Sequence, residues 1–267
     1  MKSHKIEIIA VVLIIAAFAG LTLYCGIFPP LSVVESESME HSSNWQLGVI
    51  NTGDIVFEKR VSDPVKKVVT YVQGREMNYS TYGEYGNVIL YKSTYGLTVI
   101  HRAILYLEWK NGTAYVPGEN KAPWMTVTNS YILIHDLGFS GRNFIVYISQ
   151  YRNESGFITM GDHNFAYIND SVYYNSTFKA WALSDQSIGI DSGPVNQSRV
   201  IAVAFGQIPW LGLIKLNLMR IYGGWKYSNE VPHGAYEGLF SVLAVIVALA
   251  LFPYRRVGRR IRSGKGK

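Results

Sequence analysis

Ser38, His101 and Asp162 are residue types that could together do covalent chemistry. A serine hydroxyl is a poor nucleophile until a base takes its proton. The base in turn needs an acid to hold its tautomer. Ser38 lies in Val33-Val34-Glu35-Ser36-Glu37-Ser38-Met39-Glu40, ten residues after an apolar segment that ends at Phe28. Ile100-His101-Arg102 offers a base and Gly161-Asp162-His163-Asn164 an acid. Singly, each has a plainer reading. Most serines are solvated or capping residues, a histidine in an apolar run is more often structural, and Asp162 suits a turn. Jointly they suit acyl transfer.

The elements that must position them begin with residues 6–28, an apolar run whose one charge, Glu7, lies at its end. About 20 apolar residues cross a bilayer. The rival is a removable signal peptide, since Ala17-Phe18-Ala19 resembles a cleavage site. The apolar run continues nine residues past Ala19, which favours an uncleaved transmembrane helix. A residue advances the chain by at most about 3.5 Å, so a tethered Ser38 stays close to the lipid surface. Residues 236–254 form a second apolar segment, bracketed by Tyr236 and Tyr254, and read as a second span or deep anchor.

Charge gives the chain a direction. The net charge is +6, yet between Pro29 and Ala235 there are 16 Lys/Arg against 17 Asp/Glu. The excess belongs to the tail, residues 255–267, which carries seven basic residues and no acid. A neutral body speaks against nucleic acid as a partner, while the tail suits anionic lipid. With Lys2 and Lys5 in the short N-terminus (residues 1–5), the positive-inside rule places both ends in the cytoplasm. Residues 29–235 are then extracytoplasmic, in accord with the sequons at Asn78, Asn111, Asn153, Asn169, Asn175 and Asn196. Cys25 is the only cysteine, so no intrachain disulfide can form, and zinc-binding Cys/His spacings are absent. No cofactor or metal is expected.

Residues 29–235 read as mainly β. Short β-branched or aromatic runs occur at 54–57, 67–72, 87–91, 97–100, 103–107, 130–134, 144–148, 157–160 and 199–203, separated by Gly, Asn, Ser and Pro. An antiparallel β-rich domain follows. Residues near 108–156 and 171–198 are polar and rich in Asn and Tyr, and read as insertions or long loops. The run 208–219 is apolar enough for either lipid contact or a core element.

Five boxes in order resemble the signal peptidase I family, in its archaeal and endoplasmic-reticulum branch. They are Ser36-Glu37-Ser38-Met39-Glu40, Gly53-Asp54-Ile55-Val56-Phe57, Val99-Ile100-His101-Arg102, Gly161-Asp162-His163-Asn164 and Gly206-Gln207-Ile208-Pro209-Trp210-Leu211-Gly212. The bacterial branch has lysine where His101 stands. The resemblance covers Val33 to Gly212 apart from the insertions, and implies a signal-peptidase-like β domain on a membrane anchor.

It further implies a serine endopeptidase that removes signal peptides from exported pre-proteins, cutting after small residues at the first and third positions before the bond. Ser38 would be the nucleophile and His101 the general base. Asp170 is the first choice for the triad acid, with Asp162 as the supporting or alternative acid. Ser36 would donate a hydrogen bond to the oxyanion beside the Ser38 N–H. The implied partners are signal-bearing pre-proteins, the bilayer and the secretion channel, in a cell membrane or an endoplasmic-reticulum-type membrane. Glu37, His41 and His163 depart from the family pattern, which has a small residue, a proline and an asparagine there.

Two other classes fit parts of the sequence. A non-catalytic membrane-anchored surface glycoprotein explains the sequons and the β domain but leaves the ordered boxes unexplained. A metal-dependent hydrolase would use His101, His135, Asp136 and His163, whose spacing matches no common ligand pattern.

Overall fold

The computed structural model describes residues 2–119 and 122–252. Tyr254 and the basic tail lie outside the described residues. Helix α1 (Lys2–Cys25) opens the chain, and its stretch Ile8–Cys25 is long and apolar enough to cross a membrane. It ends at Gly26, which takes φ +65° while its N–H donates to the Thr22 carbonyl, a left-handed stop that glycine adopts without Cβ strain. The helix is therefore shorter at its C-terminal end than the 6–28 apolar run.

The body is mostly antiparallel β sheet. Its strands are β1 (Leu31–Val33), β2 (Ile55–Arg60), β3 (Ser80–Thr81), β4 (Glu84–Tyr85), β5 (Val88–Lys92), β6 (Thr98–Lys110) and β7 (Thr113–Tyr115). They continue with β8 (Met125–Val127), β9 (Tyr131–Leu137), β10 (Arg142–Tyr147), β11 (Gly156–Met160), β12 (Tyr174–Asn175), β13 (Ala180–Trp181) and β14 (Val200–Ile208). The main sheet runs β1-β2-β14-β5-β6-β11, with β7 folded back on β6. The central strand β5 is buried on both faces. Val88 and Leu90 of β5 join one apolar cluster with Met39, Val56 and Ala202, while Ile89 and Tyr91 join another with Ala103 and Phe157. That alternation is the period of two expected of a strand.

The polar stretches read as insertions are not loops. They supply a second sheet, β12-β13-β10-β9-β8, antiparallel except where β10 meets β13. Ile132, Ile134, Phe144 and Val146 of this sheet bury themselves against Ile104, Leu105 and Leu107 of β6 and Ile158 of β11. Strands β9 and β10 overlap the expected β runs 130–134 and 144–148, and on their other face Leu133 and Ile145 are buried with Ala180.

One expected strand is helical. Residues 67–72 run from the end of α2 (Pro64–Lys67) through a short connector, 68–70, into the start of α3 (Tyr71–Met77). Thr70 and Gln73 form a reciprocal capping box at the α3 N-terminus, which outweighs the strand preference of Val68, Val69 and Val72. After β14 come α4 (Gly212–Ile221) and α5 (Ala235–Leu251).

Candidate active site

The Ser38 turn is a 3-10 helix, Glu37–Met39, clamped from both sides. Met39 is buried and anchors it in the core. Upstream, the Val34 N–H donates to the Asp54 carbonyl and the Gly53 N–H donates back to Val34. Downstream, Glu40 accepts from the Thr52 N–H at 2.8 Å. From the far end of the chain, Trp225 Nε1 donates to the Glu35 carbonyl and Glu230 accepts from the Glu37 N–H. Ser38 itself is half-buried, and the Ser36 hydroxyl lies 3.5 Å from its Oγ.

The second and fifth boxes serve this anchoring. Asp54 is buried and accepts from the N–H groups of Asn51 and Trp210 and from the Gln207 amide. Gly53 has φ +91°, and a Cβ there would collide with Leu213 at 2.4 Å. The Gly-Asp box thus joins the Ser38 turn to the Pro209–Gly212 turn.

His101 sits on β6 opposite Ile89 of β5. Its Nδ1 lies 2.8 and 2.9 Å from the two carboxylate oxygens of Asp185. Tyr91 and Thr159 donate their hydroxyls to Asp185 Oδ2 at 2.7 and 2.6 Å, and the Asp185 N–H donates to the Thr159 carbonyl. Burial pushes the Asp185 carboxyl up, but the neighbouring His101 and these hydrogen bonds outweigh it and hold the group below the usual carboxylate range. A carboxylate on Nδ1 keeps the proton there and leaves the Nε2 lone pair for a base.

Arg102, the next residue, faces the other side of the strand and has a carboxylate of its own. Its Nε donates to Asp162 Oδ1 at 2.7 Å, and its fork also reaches Oδ2. Its remaining N–H groups donate to the carbonyls of Thr81, Glu84, Tyr85 and Gly86. His41 Nε2 approaches Asp162 Oδ2 at 3.0 Å. Burial raises the Asp162 carboxyl, and Arg102 with His41 more than reverses this, leaving it low.

Gly161, between β11 and Asp162, lies between the Ser38 backbone and the His101 ring. A Cβ placed on it would stand 2.4 Å from the Ser38 carbonyl oxygen and 3.1 Å from His101 Nε2. Both atoms therefore flank one point on the backbone. The Ser38 turn also packs against β6 and against the 3-10 turn Asp162–Phe165.

Sequence positions separate as follows. The Ser38 turn and His101 lie on either side of Gly161, the Ser36 hydroxyl lies beside Ser38 Oγ, and Asp162 pairs with Arg102 and His41. Asp170 is not beside His101: it is exposed and caps the turn Ser171–Tyr173 by accepting from the Val172 N–H at 3.0 Å. The residue in the expected acid position is Asp185. In the chain it is separated from Gly161-Asp162 by β12 and β13. The signal in the sequence is a carboxylate inside the polar stretch 171–198, which contains Asp185 and Asp191.

His163 stacks on Tyr167 and lies 3.6 Å from Glu37, while Asp136 pairs with Arg75. Among the described residues no group of three His, Cys, Asp or Glu is arranged to hold a metal ion. Neither a family model nor a curated protein matches the chain.

Proposed function

We propose that the protein is a membrane-anchored serine endopeptidase that removes signal peptides from exported proteins. One observation carries the reading: His101 is fixed through Nδ1 by a buried carboxylate, and its Nε2 flanks the same backbone point as the Ser38 carbonyl oxygen, which brings the Ser38 turn beside the ring. His101 takes the Ser38 proton as Oγ attacks the scissile carbonyl, and the resulting imidazolium is stabilised by Asp185. Charge develops on the carbonyl oxygen, where the Ser38 N–H and the Ser36 hydroxyl are the donors at hand. His101 then protonates the leaving amine, and water, deprotonated by the same imidazole, releases the acyl group from Ser38.

The anchor supports the choice of substrate class. A signal peptide's apolar stretch lies in lipid and presents its end at the surface, where α1 holds Ser38. In this reading the β domain is extracytoplasmic and both termini are cytoplasmic. Helix α5 is then the second span. Its 17 residues extend roughly 26 Å at 1.5 Å each, close to a hydrocarbon core of about 30 Å.

The test is cleavage of a membrane-inserted pre-protein by the full-length chain and by Ser38→Ala. The variant should insert and fold normally yet release no mature protein, and only the wild type should be labelled at Ser38 by an acylating serine probe. A fully active Ser38→Ala variant ends the proposal.

A further inference from the structure

Helix α4 is apolar on two opposite faces, and the protein uses only one. Leu213 and Leu216 are buried with Trp225, Ala235 and Leu239. On the outward side, Ile214 is 44% exposed, Leu218 56% and Tyr222 87%, at helical spacing on one stripe; Ile221 beside them is 74% exposed. Such a contiguous apolar stripe marks a surface that meets something other than water.

We propose that this face of α4 lies in the bilayer interface, a second footing beside the anchor. The inference rests on reading α1 as a membrane anchor. Three observations select lipid as the occupant. The buried face of α4 packs on the first turns of α5, whose Phe240, Val245, Ile246 and Val247 are themselves exposed, so the apolar surface continues onto a lipid-compatible helix. Residues 212–226 carry Lys215, Arg220 and Lys226 and no acid, which suits anionic headgroups, although Lys215 also reaches Glu35 at 3.8 Å. Tyr222 and Tyr227 then follow, both exposed and of the aromatic type that collects at membrane interfaces.

The footing has a consequence for the chemistry. The segment after α4 holds the Ser38 turn through Trp225 and Glu230, and pairs His233 with Ser43 and Trp45. A helix lying in the headgroup layer would therefore set the height of Ser38 above the lipid, which an apolar anchor alone leaves free to tilt.

The test uses the full chain with Cys25→Ser and one introduced cysteine carrying an environment-sensitive fluorophore, reconstituted in phosphatidylcholine–phosphatidylglycerol vesicles. Quenchers are spin-labelled lipids, labelled near the headgroup or near the chain end, and aqueous iodide. Labels at Leu218→Cys and Ile214→Cys should be quenched several-fold more by the shallow lipid label than a label at Tyr95→Cys on the body. Ile14→Cys in α1 should respond to the deep label. Quenching of position 218 by iodide alone, with position 14 in lipid, overturns the footing and leaves the anchor. Shielding of 218 from iodide and lipid alike assigns the face to protein, such as a second copy, and also overturns it. Absence of lipid quenching at position 14 overturns anchor and footing together. Because no readout depends on cleavage, failure of the peptidase reading is scored separately.

Discussion

His101 and Asp185, far apart in the chain, meet through Nδ1 and both carboxylate oxygens in a pocket closed by Tyr91 and Thr159. The pair is buried, so the carboxylate can fix the ring and stabilise its positive charge with little screening. Asp185→Asn keeps the shape but lets the amide stabilise the wrong tautomer. Turnover of a pre-protein should fall by roughly 10⁴-fold with little change in KM, while Asp170→Ala stays close to wild type. An equally large loss on Asp170→Ala would reassign the acid.

The Arg102–Asp162 pair makes a different prediction, one of stability. Arg102→Met strands a buried carboxylate with His41 alone and should cost about 3–5 kcal/mol in denaturant unfolding. The folded-state pKa of Asp162 lies below its unfolded value, so its stabilisation is present above the unfolded value and lost as pH falls through the folded one. Asp162→Asn should therefore flatten the acid limb of the stability curve. An unchanged acid limb would show that Asp162 is not held ionised.

The residues proposed as nucleophile and base stand out in the sequence because the boxes around them are local in the chain. The carboxylate beside His101 does not stand out, because Asp185 reaches the ring only through the fold. The period of two along β6 contains the missing step. His101 and Arg102 are adjacent and must face opposite ways, so one carboxylate cannot serve both, and Asp162 goes to Arg102. The second sheet shows in the sequence only as the separate apolar runs 130–134 and 144–148, since their pairing as β9 and β10 is also set by the fold. Residues 67–72 were misread for a local reason: the Thr70–Gln73 capping box specifies a helix start inside a β-branched run.

Glu40 should make stability fall with rising pH. Burial pushes its carboxyl up to about 7, with the Thr52 hydrogen bonds opposing and Glu37 and Asp54 adding. Unfolded, a glutamate titrates near about 4.3, so the native state holds an extra proton between the two values. The stability linked to that proton is complete below the unfolded pKa and is lost as pH rises through the folded one. Glu40→Gln keeps an oxygen for the Thr52 N–H and removes the titration. Its gain over wild type should grow across that window to on the order of 1–3 kcal/mol, followed by thermal melts at a series of pH values. A constant difference across the series would place the titration elsewhere.

Gly161 separates packing from chemistry. Its φ is −71°, a conformation any L-residue adopts, so Gly161→Ala carries no backbone strain. The added methyl group nevertheless meets the Ser38 carbonyl oxygen and His101 Nε2 closer than van der Waals contact. Either the Ser38 turn or the imidazole must move, and a displacement near 1 Å in a reacting pair can lower the rate by about 10²-fold. Strain of this kind costs about 1–3 kcal/mol, so the variant should stay folded in a thermal melt while its pre-protein cleavage collapses. Cleavage at the wild-type rate by a folded Gly161→Ala chain would mean that Ser38 and His101 do not work across this point.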